Sequence, residues 1–468
     1  MAGRKTERSD VKLVIGIILS LGLLIFFAYR GYSVIFMAPI FALLAALTAG
    51  MNVLPTYTEL FMVKMVGYIK NFFPIFMLGA VFGKIMEDSG AARAVAHFII
   101  KKLGKERAIV ATVLSCAILT YGGVSLFVVA FAVYPLAAAM FKEANIPKRL
   151  VPGAIALGAF TFTMTAVPGT PQIQNIIPTK YFGTNAYAAP LVGIVGALMM
   201  FAGGLAWLEW RKRRATYAGE GYGSHTKNEP VVEADAYMPR FGLAILPLVI
   251  VLVLNYLLTR LINGWNPDIL KPFGTAALAS VAPTWALIVA LVLGIVVAVL
   301  LNWKEMKTKY VNSLNAGTIG SLLAIMNTAS EVGYGNVIST LPGFKAIAAA
   351  LLGIKGTPLL SETVTVNILA GITGSASGGM SIALETMGTQ YLQWANRVGL
   401  NPELLHRIAS MSSGGFDTLP HNGAVITLLA ITGLTHRQSY IDIGMVSLVV
   451  PVVSTLLLIL LTTLLGIV

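Results

Sequence analysis

Charged residues are scarce in this chain. Asp, Glu, Lys and Arg make up only 11% of its 468 residues, whereas hydrophobic residues make up 56%. Soluble domains usually carry about 25% charged residues, and a soluble protein of this length needs several polar surfaces. The mean hydropathy is +0.79. The composition therefore excludes an ordinary soluble enzyme, a disordered protein and a disulfide scaffold, and it predicts an all-α polytopic membrane protein.

Cysteine and histidine are also scarce. The chain has one cysteine, Cys116, and five histidines. A single cysteine forms no intrachain disulfide, and no Cys/His metal-ligand spacing is present. The sequence also contains no HExxH, GxSxG or CxxC motif. We therefore predict a protein that is not an enzyme and that holds no metal or cofactor.

Basic residues outnumber acidic ones, and the formal net charge is +13. We assign them to loops near anionic lipid headgroups, not to a nucleic-acid site. The basic residues before the first apolar stretch favour a cytoplasmic N-terminus, but the loops on the opposite side are more basic. We follow the larger set, which predicts that both termini lie outside and that residues 210–240 form a flexible cytoplasmic linker.

Ten apolar stretches are long enough to be membrane spans, since about 20 residues cross the hydrocarbon core. They are 13–29, 34–53, 60–86, 150–177, 187–209, 241–260, 281–302, 310–338, 403–432 and 441–467. Two further stretches, 106–141 and 357–395, have short arms around Gly/Ser-rich tips, which predicts re-entrant hairpins. The spans 150–177 and 403–432 contain dense Pro, Gly and polar residues, which predicts broken helices.

These features occur twice in the same order. Each half has a span, an amphipathic helix ending in Leu-Gly, a hairpin and a broken helix, and tip and break are 46 residues apart in one half and 43 in the other. We predict a polar segment at 1–12, one repeat at 13–209, the linker, and an inverted repeat at 241–468. Inverted repeats with broken helices are typical of secondary transporters. A structural subunit, a channel and a membrane enzyme are the alternatives.

Several segments resemble the gluconate permease (GntP-type) family of the ion transporter superfamily. They are LGAVFGKIMEDSGAARAVAHFIIKKLGKE, EANIPKRLVPGAIAL, GSASGGMSIAL and MSSGGFDTLPHNG, and the ending GLTHRQSYIDI is similar to a branch for 3-hydroxybutyrate-like acids. The resemblance implies proton-coupled uptake of a small organic monocarboxylate across the cytoplasmic (inner) membrane. It also implies a homodimer with an elevator-like transport domain. The first break has no histidine, a departure from the family pattern that speaks against gluconate itself.

The tips and breaks are the candidate binding site for an organic anion. Helix amino ends there offer free N–H groups and partial positive charge, and Ser, Thr and Asn add donors. The candidates at the first tip and break are Gly122, Gly123, Ser125, Thr170, Gln172 and Asn175. Those at the second tip and break are Ser375, Ser377, Gly378, Gly379, Ser412, Ser413, Gly414, Thr418, His421 and Asn422. These four segments contain no Lys or Arg, which favours a small monoanion as the substrate.

Proton coupling needs a titratable group within the membrane. Asp417 and His421 are four residues apart in the second break and share a face if that turn stays helical. Glu331 and Glu385 are the other candidates, and each either carries the proton, pairs with a cation or caps a helix. Sodium coupling through backbone carbonyls and hydroxyls is the rival. An antiporter that exchanges an organic acid or Na⁺ for H⁺ is a further alternative.

Overall fold

The computed structural model describes residues 14–24, 26–27, 30, 32–124, 126–225, 227–229, 237–273, 278–354, 356–420 and 422–465. Within these ranges the regular secondary structure is helical, and no strand occurs. The predicted all-α class is therefore confirmed. Ser125 and His421, two of the predicted site residues, lie outside the described residues.

Among its described residues, the first half contains nine helices of eight or more residues. They are α1 (Val14–Leu24), α2 (Val34–Thr48), α3 (Val53–Asp88), α4 (Ala91–Leu103), α5 (Ala108–Tyr121), α6 (Leu126–Glu143), α7 (Val151–Ala159), α8 (Ile173–Phe182) and α9 (Pro190–Tyr217). Part of α3, Thr56–Met62, is a π-helix.

The second half, within the described ranges, also contains nine. They are α10 (Phe241–Asn263), α11 (Leu278–Leu301), α12 (Tyr310–Thr340), α13 (Pro342–Leu352), α14 (Pro358–Thr373), α15 (Ala376–Val398), α16 (Pro402–Ser413), α17 (Gly423–Thr432) and α18 (His436–Leu464). The elements α3 to α9 and α12 to α18 run in the same order: long helix, short helix, helical pair, interrupted helix, long helix. The inverted relation between the halves stays a prediction.

Five helices among the described residues are long and apolar enough to cross a membrane: α3, α9, α10, α18 and the Val281–Leu301 part of α11. The predicted spans 13–29 and 34–53 contain the shorter apolar helices α1 and α2. Helix α12 is long enough to cross, with 31 residues, but it has no stretch as apolar as those five. The two spans predicted to be broken are interrupted, as described below. The chain is thus a multi-pass membrane protein.

Both predicted hairpins consist of two helices packed on each other, α5 with α6 and α14 with α15. At the second tip the chain turns at Gly374, which has a left-handed φ of 64°. The two arms then approach closely, because a Cβ added at Gly379 would overlap the backbone of Ala370 on α14. Glycine is required at both positions for backbone reasons.

The segment predicted as a flexible linker is partly ordered, which corrects that prediction. Helix α9 continues to Tyr217, and residues after it fold back onto the membrane domain. The fully buried Lys148 side chain pairs with Glu229 at 2.7 Å, and Arg149 binds Glu220 at 2.6 Å. The Arg149 hydrogen bond holds the pKa of Glu220 below its ordinary value. These ion pairs fix the start of the connection between the halves.

Candidate functional site

The first break separates α7 from α8. A single turn, Phe162–Thr165, follows α7, and the chain then passes through Pro168, Gly169 and Pro171 before α8 begins. Proline has no N–H to continue a helix, and Gly169 has a φ of 82°. The break leaves the amino end of α8 without preceding helical carbonyls to bond.

Two side chains tie the first hairpin tip to this break. Gln172, at the N-cap of α8, donates through Nε2 to the carbonyls of Thr120 at 2.8 Å and Val124 at 3.3 Å. Tyr121 donates its hydroxyl to the carbonyl of Pro168 at 2.9 Å. Tip one and break one therefore form a single hydrogen-bonded unit.

The second break separates α16 from α17. One 3₁₀ turn, Phe416–Thr418, lies between them, and Leu419 is extended with φ −58° and ψ 158°. The turn therefore does not continue as a helix from Asp417 to position 421. The helical geometry on which the predicted Asp417–His421 pair depends is absent, because the chain straightens at Leu419.

An amide side chain ties the second tip to the second break. Asn422 caps α17 by accepting from the N–H groups of Ala424 and Val425, and its Nδ2 donates to the carbonyl of Gly374 at 2.7 Å. Gln172 and Asn422 therefore occupy equivalent positions in the two halves. Each lies at the N-cap of the helix after the break and binds the adjacent hairpin tip.

Arg407 lies on α16, the helix that ends at the second break, and it binds the first break; we call this contact the junction of the breaks, and sequence reasoning missed Arg407. Its side chain is fully buried. It donates to Asn175 Oδ1 at 2.9 Å and to the carbonyls of Ala188, Ala186 and Thr165 at 2.8, 3.3 and 3.4 Å. The four tip and break segments contain no Lys or Arg, but the fold brings Arg407 to the first break from the neighbouring helix. An arginine inside the apolar stretch 403–432 was the available signal.

Arg407 has no carboxylate partner among the residues that the structure describes. Each of its hydrogen bonds goes to an uncharged oxygen. Glu403, one turn earlier on α16, instead accepts from the N–H of Ala189 at 2.9 Å. The junction of the breaks therefore contains a buried positive charge that no acidic side chain in the described ranges neutralises through an ion pair.

Asn175 is the centre of this junction. Its Nδ2 donates to the carbonyls of Thr170 and Ala186, both at 2.9 Å. Its Oδ1 accepts from Arg407 and lies 3.3 Å from His406 Nε2. All its polar atoms are used, which makes Asn175 a positioning residue of the junction.

Three buried carboxyl groups contain an oxygen with no hydrogen-bond partner among the described residues: Glu331, Glu362 and Asp417. Glu362, on α14, is fully buried and has neither oxygen bonded, and sequence reasoning missed it. Glu385 differs from these three, because it accepts from Lys64 at 3.1 Å and from Tyr181 at 2.8 Å. Of the open readings for Glu385, the structure shows the pairing with a cation.

The remaining predicted site residues differ in their contacts: one has an unpartnered oxygen, two bond other side chains, two bond backbone carbonyls, and three glycines pack against neighbours. Thr170 Oγ1 is buried without a partner in the described ranges, as is the neighbouring Gln174 Oε1. Ser377 lies 3.4 Å from Thr328 Oγ1, and Ser412 donates to Thr363 Oγ1 at 3.1 Å. The hydroxyls of Ser413 and Thr418 donate to backbone carbonyls three residues earlier in the chain. Gly122, Gly123 and Gly414 pack against Leu248, Pro171 and Thr165.

Comparison with known families identifies this arrangement. Residues 11–465 match the family described as GntP family permease. The chain belongs to this family. The family resemblance expected from the sequence is therefore confirmed. The branch for 3-hydroxybutyrate-like acids stays a prediction.

Relatives of this GntP family member are named transporters and permeases. An uncharacterized transporter, YxjC of Bacillus subtilis (strain 168), is 51% identical over 449 residues, which covers 92% of this chain and 95% of the relative. A high-affinity gluconate transporter of Escherichia coli (strain K12) is 26% identical over 370 residues, or 74% of this chain and 75% of the relative. An uncharacterized permease of Haemophilus influenzae is 24% identical over 415 residues.

The fold is similar to a solved transporter structure. The crystal structure of the YdaH transporter of Alcanivorax borkumensis aligns with a TM-score of 0.53 and covers 87% of each chain, at 16% identity. At that identity the likeness concerns the fold alone.

Among the described residues of this GntP family member, no group of three or more His, Cys, Asp or Glu side chains is placed to hold a metal ion.

Proposed function

We propose that the chain is a secondary active transporter that takes up a small organic monocarboxylate together with a proton. The observation that carries this proposal is the buried Arg407 guanidinium at the junction of the two breaks, with no carboxylate partner among the described residues. A buried charge is costly unless it is compensated. A substrate anion in the same buried region supplies negative charge that attracts this cation across a distance, and its carboxylate need not touch the guanidinium.

The neutral groups around this charge favour a small anion with hydroxyl groups. Thr170 Oγ1, Gln174 Oε1 and Thr120 Oγ1 are buried around the first break and have no partner within the described ranges. Buried polar atoms are normally bonded, so these atoms are suited to bind substrate oxygens. One cation and several neutral groups match a monocarboxylate better than a di- or tricarboxylate. Gluconate, the substrate named for the Escherichia coli relative, and 3-hydroxybutyrate both have this chemistry.

The hydrogen bonds between tips and breaks support an elevator-type movement. Gln172 binds tip one to break one, Asn422 binds tip two to break two, and Arg407 binds α16 to the first break. The four segments are therefore coupled and would move as one body. In this proposal the other long helices form the fixed scaffold, the protein is a homodimer in the inner membrane, and both termini lie outside.

Uptake into proteoliposomes tests this function. The purified protein is given labelled gluconate or 3-hydroxybutyrate under an imposed proton gradient, and separately under a sodium gradient. We expect concentrative uptake of one of the acids with the proton gradient. Uptake with sodium alone would replace the proposed ion. Exchange of internal for external acid without net accumulation would favour an antiporter, and uptake of neither acid under either gradient would contradict the proposal.

A further inference from the structure

We propose that Glu331 is the proton-binding group of this transporter, and that it exchanges its negative charge with the substrate carboxylate at the amino end of α15. This inference rests on the proposed function and deepens it. It names the side chain that links the proton to the anion, and it places the linkage at the second hairpin tip.

Glu331 lies against the first turn of α15. The residue is 4% exposed, and its Oε2 rests on Gly378 so closely that a Cβ added at Gly378 would overlap it. The hydroxyl of Ser375, the N-cap of α15, lies 3.1 Å from the same Cβ position. Position 378 therefore accommodates the carboxyl group because it is a glycine.

The amino end of α15 attracts negative charge. This helix has 23 residues, and the N–H groups of its first turn have no helical carbonyl to bond. Ser375 Oγ accepts from Gly378 N at 3.0 Å, and no described residue accepts from the N–H of Ala376 or Ser377. Free N–H groups and the helix dipole together favour an anion at this position.

The carboxyl of Glu331 is not stabilised as an ion by hydrogen bonds to both oxygens. The Ser375 hydroxyl lies beside this carboxyl and favours its ionised form, but Oε2 has no hydrogen bond of ordinary length among the described residues, and a buried carboxylate that lacks partners is costly. The amino end of α15 is the favourable feature beside it. Glu362 and Asp417 also contain unpartnered oxygens, and Glu331 is singled out because its Oε2 rests on Gly378 in the first turn of the 23-residue helix α15.

The titratable side chains on the helices around Glu331 do not form an ion pair with it in the described ranges. Tyr68 of α3 is close enough to Glu331 for an electrostatic interaction, while Lys64 of α3 is bonded to Glu385 of α15. Helix α2, which also packs on α12, carries no titratable side chain. No ion pair of Glu331 occurs among the described residues, so no cation competes with the proton.

Substrate binding then requires protonation. A substrate carboxylate at the amino end of α15 and an ionised Glu331 are like charges in one buried site, and one of them must be neutralised. Glu331 accepts one proton as one monocarboxylate binds, and both are released on the other side. One proton and one monoanion cross together, so the cycle moves no net charge. By linkage, the proton and the substrate must increase each other's affinity equally.

The variant Glu331→Gln tests this proposal, because glutamine has the shape of the protonated side chain and does not titrate. In proteoliposomes we expect it to exchange labelled for unlabelled substrate but to lose accumulation driven by a proton gradient by at least about tenfold. Its substrate Kd should be independent of pH, whereas the wild-type Kd should increase as pH rises. Glu59→Gln, an exposed carboxyl on α3, is the matched control and should behave as wild type.

Several results would overturn the proposal. Normal proton-driven accumulation by Glu331→Gln is one, and loss of all substrate binding by a monodisperse Glu331→Gln protein is another. Loss of coupling in Glu362→Gln or Asp417→Asn, with Glu331→Gln still coupled, would assign the proton elsewhere. If Glu331→Gln does not fold, Glu331→Asp withdraws the carboxyl from Gly378, and an unchanged pH profile would contradict the proposal. Failure of the wild type to accumulate either acid would instead be a failure of the proposed function.

Discussion

Replacing Arg407 separates its charge from its hydrogen bonds. Arg407→Gln removes the buried positive charge, while Arg407→Lys retains it and loses the planar fork that binds several carbonyls at once. Both variants therefore disturb the junction of the breaks, and only the first removes its charge. We expect Arg407→Gln to weaken substrate binding much more than Arg407→Lys.

The structural cost of both changes is limited. The carbonyl of Thr165 also accepts from Ser410 at 2.7 Å, and that of Ala186 also accepts from Gly169 N at 2.8 Å. The carbonyl of Ala188 has no other hydrogen-bond donor among the described residues, and one orphaned acceptor costs about 1–3 kcal/mol. Arg407→Gln should fold, since removal of a desolvated cation offsets part of that cost, and Arg407→Lys should fold because its ammonium group is still a hydrogen-bond donor for these carbonyls.

The cost to binding follows from Coulomb's law. If the substrate carboxylate binds about 7 Å from the guanidinium, at an effective dielectric constant of about 20, the attraction is about 2 kcal/mol. That energy corresponds to a change of about 30-fold in Kd. Arg407→Gln should therefore bind gluconate or 3-hydroxybutyrate about 30-fold more weakly than the wild type, and Arg407→Lys only a few-fold more weakly.

The measurement is binding of the labelled acid to purified protein in nanodiscs, with monodispersity as the check on folding. Arg397→Gln, at an exposed position near the end of α15, is the control and should bind like the wild type. Equal affinities for Arg407→Gln and Arg407→Lys in folded protein would refute the electrostatic reasoning. The guanidinium would then have a structural role at the first break and no role in binding the substrate anion.

Three further predictions follow from packing and topology. Gly379→Ala should lower the melting temperature and expression, because a Cβ there overlaps the backbone of α14, whereas Gly388→Ala on the same helix has its nearest neighbours at 3.6 Å and should be tolerated. Glu229→Gln leaves the buried Lys148 without its carboxylate, so limited proteolysis should cut the segment after α9 faster than in wild type, and equal rates would contradict the anchoring. A cysteine introduced at the N-terminus should react with impermeant reagent from outside, with buried Cys116 unreactive, and labelling only from inside would reverse the predicted topology.

The sequence was sufficient for the class of protein, the family and the positions of the interruptions. Scarce charge and long apolar runs leave few folds available in a membrane, since every backbone polar group must be bonded within the protein. Proline and glycine inside apolar stretches interrupt helices for local steric reasons. These are short-range effects, so the breaks near Pro168 and Pro420 and the turn at Gly374 are visible in the chain itself.

Only the tertiary structure decided which groups meet in the candidate site. Arg407 reaches Asn175 across 232 residues of chain, and Glu331 reaches Gly378 from another helix. Within the predicted break, the sequence left open whether the turn after Asp417 stays helical, and the extended Leu419 shows that it does not. Such contacts depend on how helices pack, and helix packing depends on side chains far apart in sequence. Residue types and spacing therefore located the tips and breaks, and packing supplied the charges that act on them.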